Sequence, residues 1–120
     1  SHVPFLDVAG TVRWIRRQGA ERVIAGLTDT LEADFRRWAD FDKTPRVAAH
    51  SPEGVIEPMP TSDGVSYAFK YVNGHPSNPA SGLQTVTAVG VLADVRSGYP
   101  VFVAEMTLLT ALRTAATSAL

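Results

Sequence analysis

The stretch LQTVTAVGVLADVRSGYPVFVAE, residues 83–105, indicates the fold class of this 120-residue chain. Residues 83–95 are rich in β-branched side chains and residues 99–105 contain further valines and aromatics, a composition that is typical of strands. The RSG between them is a turn signal, so the two segments are predicted to form an antiparallel hairpin.

Shorter extended segments precede this hairpin. RVAAH (46–50) and VIEPM (55–59) are joined by the turn residues SPEG, and SYAFKYV (66–72) follows the turn TSDG. The loop NGHPSNPASG (73–82) then leads into residue 83. Two interpretations of this loop stay open: a structured loop over a site, or a connection between strands.

Helical periodicity is found before these strands. Residues 6–19 predict a helix with Asp7 as its N-cap, and residues 20–38 predict a second one. Gly26 within the second helix costs stability relative to alanine, which suggests close packing at that position. The apolar face of the second helix is predicted to consist of Ile24, Leu27, Leu31, Phe35 and Trp38.

A third helix is predicted after the hairpin. TLLTALRTAATSAL (107–120) has Thr107 as a candidate N-cap and carries a single charged residue, Arg113. Because a helix that is apolar nearly all round is usually buried, this helix is expected to be buried. The fold class is therefore predicted as α+β, with two N-terminal helices, a mostly antiparallel sheet and a buried C-terminal helix.

Composition limits the classes of function. The chain is 45% hydrophobic and 19% charged with a net charge of −1, which predicts one folded domain over residues 1–120 and argues against nucleic acid as a partner. No cysteine is present, and His50 and His75 lack metal-ligand spacing, so no metal site is predicted. No apolar run approaches the roughly 20 residues that span a bilayer, so a cytoplasmic location is expected. Residues 1–2 are interpreted as a tag remnant.

Lys70 and Arg113 are the main candidates for an anion site. Lys70 shares one face of its strand with Ala68 and Val72, and it either points to water or aims into a cleft. A buried arginine needs a partner, so Arg113 either forms an ion pair with Asp94 or Glu105 or clamps a carboxylate or phosphate.

Arg46 and Glu57 are weaker candidates. Arg46 follows Pro45 at the start of a strand, where arginine is usually a surface residue. Glu57 is either an edge charge that discourages pairing between sheets or a carboxylate that receives a substrate amine. Phosphate-binding, nucleophile-elbow and dinucleotide-binding motifs are all absent from the sequence. The residues alone therefore predict an anion site without a defined chemistry.

Four segments, FKYVNGHPSNP, GLQTV, VLADVRSGYP and LTALRTAATSA, give the sequence a family resemblance. Together they resemble the ornithine cyclodeaminase/mu-crystallin family, and most of all its bacterial ornithine cyclodeaminase branch. The resemblance implies that this chain is the substrate-binding and dimerisation domain, which forms a homodimer by joining sheets. It also implies a second, Rossmann domain that holds most of the NAD cofactor and is absent from this chain.

The reaction implied by the resemblance converts L-ornithine into L-proline and ammonia. A hydride leaves the α-carbon for NAD, the side-chain amine closes on the resulting imine, ammonia departs, and the same hydride returns. The parent protein is expected to be an ornithine cyclodeaminase-like ammonia lyase, whereas the 120-residue chain alone is expected to be inactive. Alternatives within the family are an amino-acid dehydrogenase or ketimine reductase, and a mu-crystallin-like binder of cofactor and ligand that performs no catalysis.

The resemblance also assigns roles to residues. Glu57 and Lys70 are implied to be catalytic, with Glu57 near the distal amine of the substrate. The residues implied to bind substrate are Arg46, Glu57, Met59, Lys70 and Arg113. The residues implied to lie near the cofactor are Thr85, Arg113 and Thr114. If these roles are correct, the charged ends of Lys70 and Arg113 should converge on one cleft.

Overall fold

The computed structural model describes residues 2–42 and 44–120, so Ser1, half of the predicted tag remnant, lies outside the described residues. The α-helices within these ranges are α1 (Val8–Gln18), α2 (Ala20–Arg36) and α3 (Thr107–Ser118). The strands are β1 (Phe5–Leu6), β2 (Ala49–Ser51), β3 (Gly54–Ser62), β4 (Ser66–Gly74), β5 (Val86–Asp94) and β6 (Pro100–Glu105). The α+β class is confirmed. None of the helices over the described ranges has the length and apolarity that crossing a membrane requires.

The strands form one sheet in the order β1-β6-β5-β4-β3-β2. Every neighbouring pair is antiparallel except β1 and β6, which are parallel, so the prediction of a mostly antiparallel sheet is confirmed. The predicted hairpin is β5–β6, although β5 begins at Val86 and not at residue 83. Strand β1 was not predicted from the sequence, because two residues are too few to show an alternating pattern.

The two faces of the sheet differ in what covers them. Cross-strand pairing places Met59, Lys70, Gly90 and Ala104 in one row, on the face that α3 covers. Helix α3 packs in turn against α2. The opposite face carries apolar side chains that remain partly exposed, namely Tyr67 (37%), Tyr71 (38%), Val89 (39%) and Val101 (46%).

The predicted cap of α1 is confirmed and that of α3 is wrong. Asp7 accepts a hydrogen bond from Gly10 N at 2.7 Å. At α3 the N-cap position is occupied by Met106, because β6 leads almost directly into the helix. The carboxylate of Glu105 accepts the bond from Thr107 N at 2.7 Å, while the hydroxyl of Thr107 accepts one from Ala88 N at 3.1 Å.

Burial of the helices is less complete than predicted. Ala116 of α3 is fully buried, but Arg113 is exposed, so the prediction of a buried helix holds on one side only. On the predicted apolar face of α2, Phe35 and Trp38 remain 46% and 53% exposed. The close packing expected at Gly26 is wrong, since no described atom outside the helix backbone lies within 4 Å of a β-carbon built there.

Asp63 connects the end of α2 to the turn between β3 and β4. Its carboxylate accepts hydrogen bonds from Ser66 N at 2.8 Å, Val65 N at 2.9 Å and the Arg37 guanidinium at 3.2 Å. These bonds, with Ser66 the largest cause, lower the pKa of Asp63 from 3.8 to about 2. Arg37 also bonds Asp34, so one guanidinium joins helix and turn.

Replacing Asp63 with asparagine should make the folded state less sensitive to acid. The lowered pKa means that the Asp63 carboxylate stabilises the fold above pH 3.8, and this contribution is lost as the pH falls toward about 2. We expect a shallower decline of the melting temperature over this range in Asp63→Asn than in the unmodified chain. The matched control is Asp29→Asn on the exposed side of α2. Equal slopes for Asp63→Asn and the unmodified chain would contradict the assignment.

Candidate functional site

A cleft of about 350 Å³ lies between the sheet and α3. Most of its wall is apolar, and the two cationic side chains that line it are Lys70 from β4 and Arg113 from α3. The prediction that these two residues converge on one cleft is confirmed. Met59 of β3 lines the same cleft, as the resemblance implied.

Gly90 creates part of the space for this cleft. It is buried in β5 directly opposite Lys70, and a β-carbon at this position would overlap the sulfur of Met106. The Met106 side chain therefore lies over Gly90 and lines the cleft beside Lys70. Neither residue was identified from the sequence. A glycine inside a strand is the signal that could have indicated such a close approach.

Lys70 is half-buried, with its ammonium directed toward α3. Nζ donates a hydrogen bond to Thr110 Oγ1 at 3.4 Å. Burial is the main cause that lowers the pKa of Lys70, followed by the positive charges of Arg113 and Arg46. None of the salt bridges found over residues 2–42 and 44–120 includes Lys70. A partly buried cation surrounded by other cations favours the binding of an anion.

Arg113 does not form the structural ion pair that was one of its two interpretations. Asp94 accepts hydrogen bonds from Ser97 N and Oγ at 2.8 and 2.7 Å. Glu105 accepts from Thr107 N through Oε1, while its buried Oε2 has no partner among the described residues. The premise of a buried Arg113 is also wrong, since the side chain is exposed at the cleft. Its guanidinium is therefore accessible to a ligand.

Arg46 and Glu57 form a salt bridge beside the cleft. Arg46 Nη1 and Glu57 Oε2 are 3.4 Å apart, and the side chains are 59% and 28% exposed. Neither lines the cleft, but Glu57 shares a face of β3 with Met59, and Arg46 is close enough to lower the pKa of Lys70. Because β2 pairs with β3 only as far as Ile56, Glu57 also lies on an unpaired edge, and its interpretation as an edge charge stays open.

The two threonines assigned to the cofactor lie outside the cleft lining. Thr85 is half-buried just before β5, and its carbonyl accepts a hydrogen bond from His75 N at 2.8 Å. Thr114 is exposed on α3, and its hydroxyl donates to the carbonyl of Thr110 at 3.0 Å. The cleft thus brings together Met59, Lys70 and Arg113, with the Arg46–Glu57 pair at its side.

The Gly- and Pro-rich loop at 73–82 is a structured connection, and none of its residues lines the cleft. Asn73 is buried, and its side-chain Oδ1 accepts hydrogen bonds from Thr87 N, at 2.9 Å, and from the Thr87 hydroxyl. Its amide nitrogen lies 2.9 Å from His75 Nδ1. Asn73 thus anchors the beginning of the loop, at the end of β4, to β5. Across the described ranges, no three His, Asp or Glu side chains are grouped as a metal site would require.

Comparisons with known proteins agree on one family. The family model described as "Ornithine cyclodeaminase/mu-crystallin family" matches residues 10–120. The ornithine cyclodeaminase of Brucella abortus biovar 1 (strain 9-941) is 65% identical over 117 residues, covering 98% of this chain and 33% of the relative. The chain therefore spans about a third of the length of the curated relatives that it matches.

Solved structures share the fold. A lysine cyclodeaminase, studied for recognition of L-lysine, L-ornithine and L-2,4-diaminobutyric acid, has a TM-score of 0.90 and 27% identity over 99% of this chain and 37% of its own. An archaeal alanine dehydrogenase dimer with bound NAD has a TM-score of 0.80 and 28% identity over 96% of this chain and 34% of its own.

Proposed function

Because this chain belongs to the ornithine cyclodeaminase/mu-crystallin family, we propose that it is the substrate-binding part of an enzyme that converts L-ornithine into L-proline and ammonia, with NAD as a recycled hydride carrier. The observation that carries the proposal is the convergence of Lys70 and Arg113 on one largely apolar cleft. The chain spans about a third of its relatives, so we propose that it is inactive alone and acts within a longer protein.

Lys70 and Arg113 are proposed to hold the carboxylate of the substrate. A guanidinium can donate two parallel hydrogen bonds to a carboxylate, and the Lys70 ammonium adds a further donor from the other side of the cleft. Arg46 adds positive charge nearby. A bound carboxylate would offset the repulsion between Lys70 and the two arginines that helps to lower the pKa of Lys70. Because only the charged ammonium attracts the carboxylate, the affinity of the cleft for the carboxylate should fall as the pH rises through the pKa of Lys70.

The rest of the substrate is proposed to extend along β3. Met59 lies opposite Lys70 in the sheet and offers an apolar wall for the methylene groups. Glu57, two residues along the same face of β3, is proposed to replace its contact with Arg46 by a contact with the distal ammonium. There its carboxylate would take a proton from the ammonium nitrogen, which leaves that nitrogen able to attack the α-carbon.

We propose that this chain supplies part of the border of a cofactor site. Arg113 and Thr114 are adjacent exposed residues of α3, and Thr85 lies at the start of β5; these three are proposed to contact the cofactor. NAD, when bound, supplies an acceptor and donor of hydride. The glycine-rich motif that binds its phosphates does not occur in this sequence, so most of the cofactor site is assigned to another part of the longer protein.

We further propose a homodimer that covers the open face of the sheet. The partly exposed apolar side chains of this face, Tyr67, Tyr71, Val89 and Val101, would lose contact with water in such a dimer. Sedimentation equilibrium of the chain should give twice the monomer mass of 12.9 kDa. A single species of monomer mass at high concentration would contradict this arrangement.

Product analysis of the full-length protein with L-ornithine and NAD⁺ tests the proposed function. We expect L-proline and ammonia in equal amounts and no net formation of NADH. An oxo acid with one NADH per turnover would instead support an amino-acid dehydrogenase, the alternative favoured by the similarity to the archaeal alanine dehydrogenase. Binding of ligand and cofactor without any turnover would support a mu-crystallin-like role.

The role of Glu57 can be tested by comparing L-ornithine with L-norvaline, which has the same carbon chain without the distal amine. Glu57→Gln should weaken the binding of ornithine and leave that of norvaline nearly unchanged, because only ornithine presents an ammonium to this carboxylate. An equal loss for both ligands would mean that Glu57 acts through the Arg46 salt bridge and not on the distal amine.

A further inference from the structure

The hydroxyl of Thr110 has an orientation that differs from its counterparts in the helices. Every other Thr or Ser hydroxyl beyond the first residue of α1, α2 and α3 donates to the carbonyl four residues earlier. These residues are Thr11, Thr28, Thr30, Thr114, Thr117 and Ser118. Thr110 Oγ1 instead accepts a hydrogen bond from Lys70 Nζ at 3.4 Å. This contact joins residues that are 40 positions apart in the sequence.

Thr110 lies where it can connect the two cations of the cleft. It precedes Arg113 by three positions on α3, so both residues project from the same side of the helix. The backbone N of Thr110 bonds the carbonyl of Met106 at 2.7 Å, which fixes the first turn of α3. A lysine ammonium has three donors, and the bond to Thr110 leaves two of them for a ligand.

We propose that Thr110 is a positioning residue whose hydroxyl oxygen holds the Lys70 ammonium on the α3 side of the cleft, so that Lys70 and Arg113 meet the same carboxylate. The effect of Thr110 on catalysis rests on the proposed function, whereas the contact between Thr110 and Lys70 does not. The lysine side chain is long and flexible, and its ammonium is repelled by two neighbouring guanidinium groups. A neutral acceptor on α3 restrains it without neutralising its charge.

The charges around Lys70 explain why a hydroxyl is suited to this role. Arg113 faces it from α3, Arg46 acts on it from the segment before β2, and Glu57 of β3 is paired with Arg46. A carboxylate at position 110 would neutralise the ammonium and compete with an anionic ligand. The hydroxyl oxygen of Thr110 stabilises the charged form of Lys70 and leaves the net positive charge of the cleft unchanged.

The titration of Lys70 tests this contact without any substrate. The sequence contains two lysines, Lys43 and Lys70, so a chain labelled with ¹³C at the lysine ε-carbon gives two resonances, and the variant Lys43→Arg assigns them. Thr110→Val should lower the pKa of Lys70 further, because the ammonium loses its acceptor, and Thr110→Ser should restore it. Thr30→Val, which removes an exposed hydroxyl of α2, is the matched control and should leave the titration unchanged.

Thr110→Ala is the second variant, since it removes the hydroxyl without the bulk of valine and is used if Thr110→Val does not fold. An unchanged Lys70 titration in whichever folded variant lacks the hydroxyl would overturn the proposal. In the full-length enzyme, the same variant should lower kcat/KM for L-ornithine by about tenfold, mainly through KM, with Thr110→Ser near the original value.

The two measurements separate the two proposals. An altered titration with kcat/KM within about twofold of the original would overturn the positioning role. An altered titration in a protein that, with its native Thr110, does not convert ornithine would overturn the proposed function and leave the contact between Thr110 and Lys70 supported.

Discussion

Under the proposed function, replacing Arg113 with lysine in the full-length protein is expected to lower kcat/KM for L-ornithine by about ten- to a hundredfold, with no change in thermal unfolding. Lysine keeps the positive charge but loses the planar pair of donors that binds both oxygens of a carboxylate. Such a charge-assisted contact contributes about 1.5–3 kcal/mol, and about 1.4 kcal/mol corresponds to a tenfold change in rate. Stability should be unaffected, because Arg113 is exposed and forms no salt bridge with a described residue.

Steady-state kinetics and the melting temperature have to be measured together. The matched control is Arg22→Lys on the exposed side of α2, which should change neither. The effect on kcat should be smaller than that on kcat/KM if the clamp acts equally in the ground state and the transition state. Normal kinetics in a variant that melts at lower temperature would reassign Arg113 to a structural role.

Gly54→Ala is expected to destabilise the chain by about 1–3 kcal/mol, or several degrees in melting temperature. A β-carbon at position 54 would overlap the carbonyl oxygen of Gly74 and lie 3.0 Å from the Cα of His75. These are backbone atoms of β4 and of the loop that follows, so they cannot move aside as a flexible side chain can. The variant must therefore distort the pairing of β3 with β4 where Val55 lies opposite Gly74.

Gly26→Ala is the matched control for this substitution. No described atom outside the helix backbone lies within 4 Å of the added β-carbon, and position 26 is exposed in the interior of α2. The control should therefore stabilise the chain by about 0.5–1 kcal/mol, since glycine is a poor helix former. The two glycine replacements are thus predicted to change the free energy of unfolding in opposite directions, in the same thermal or denaturant unfolding experiment. Destabilisation of similar size in both variants would contradict the structural argument.

Alternation and helical periodicity were sufficient to predict most elements. The pattern of residues 66–72 placed Lys70 on one face with Ala68 and Val72, although not which face α3 covers, and the N-cap at Asp7 follows from local chemistry alone. The prediction of Thr107 as N-cap was wrong because its hydroxyl accepts a hydrogen bond from Ala88 N of β5, a residue 19 positions away in the sequence. Local capping rules do not include such tertiary competition.

The charged residues of the candidate site could be predicted from the sequence, but the residues with which they interact could not. The convergence of Lys70 and Arg113 was predicted from roles that the family resemblance assigns. The Arg46–Glu57 salt bridge depends on the path of the chain between them, and the exposure of Arg113 depends on how α3 packs. Both properties require distances between segments, which a pattern of residue types does not contain.

The short junction between β6 and α3 fixes the start of the helix that carries Arg113. Met106 alone separates the two elements, and its N bonds the carbonyl of Ala88 at 2.8 Å. Thr107 is held on both sides, by Ala88 N and by the Glu105 carboxylate. The helix that bears Arg113 therefore cannot pivot unless bonds to the central strand break. Under the proposed function, the position of this helix is set when the chain folds, so the entropy cost of placing Arg113 beside the cleft falls on folding and not on ligand capture.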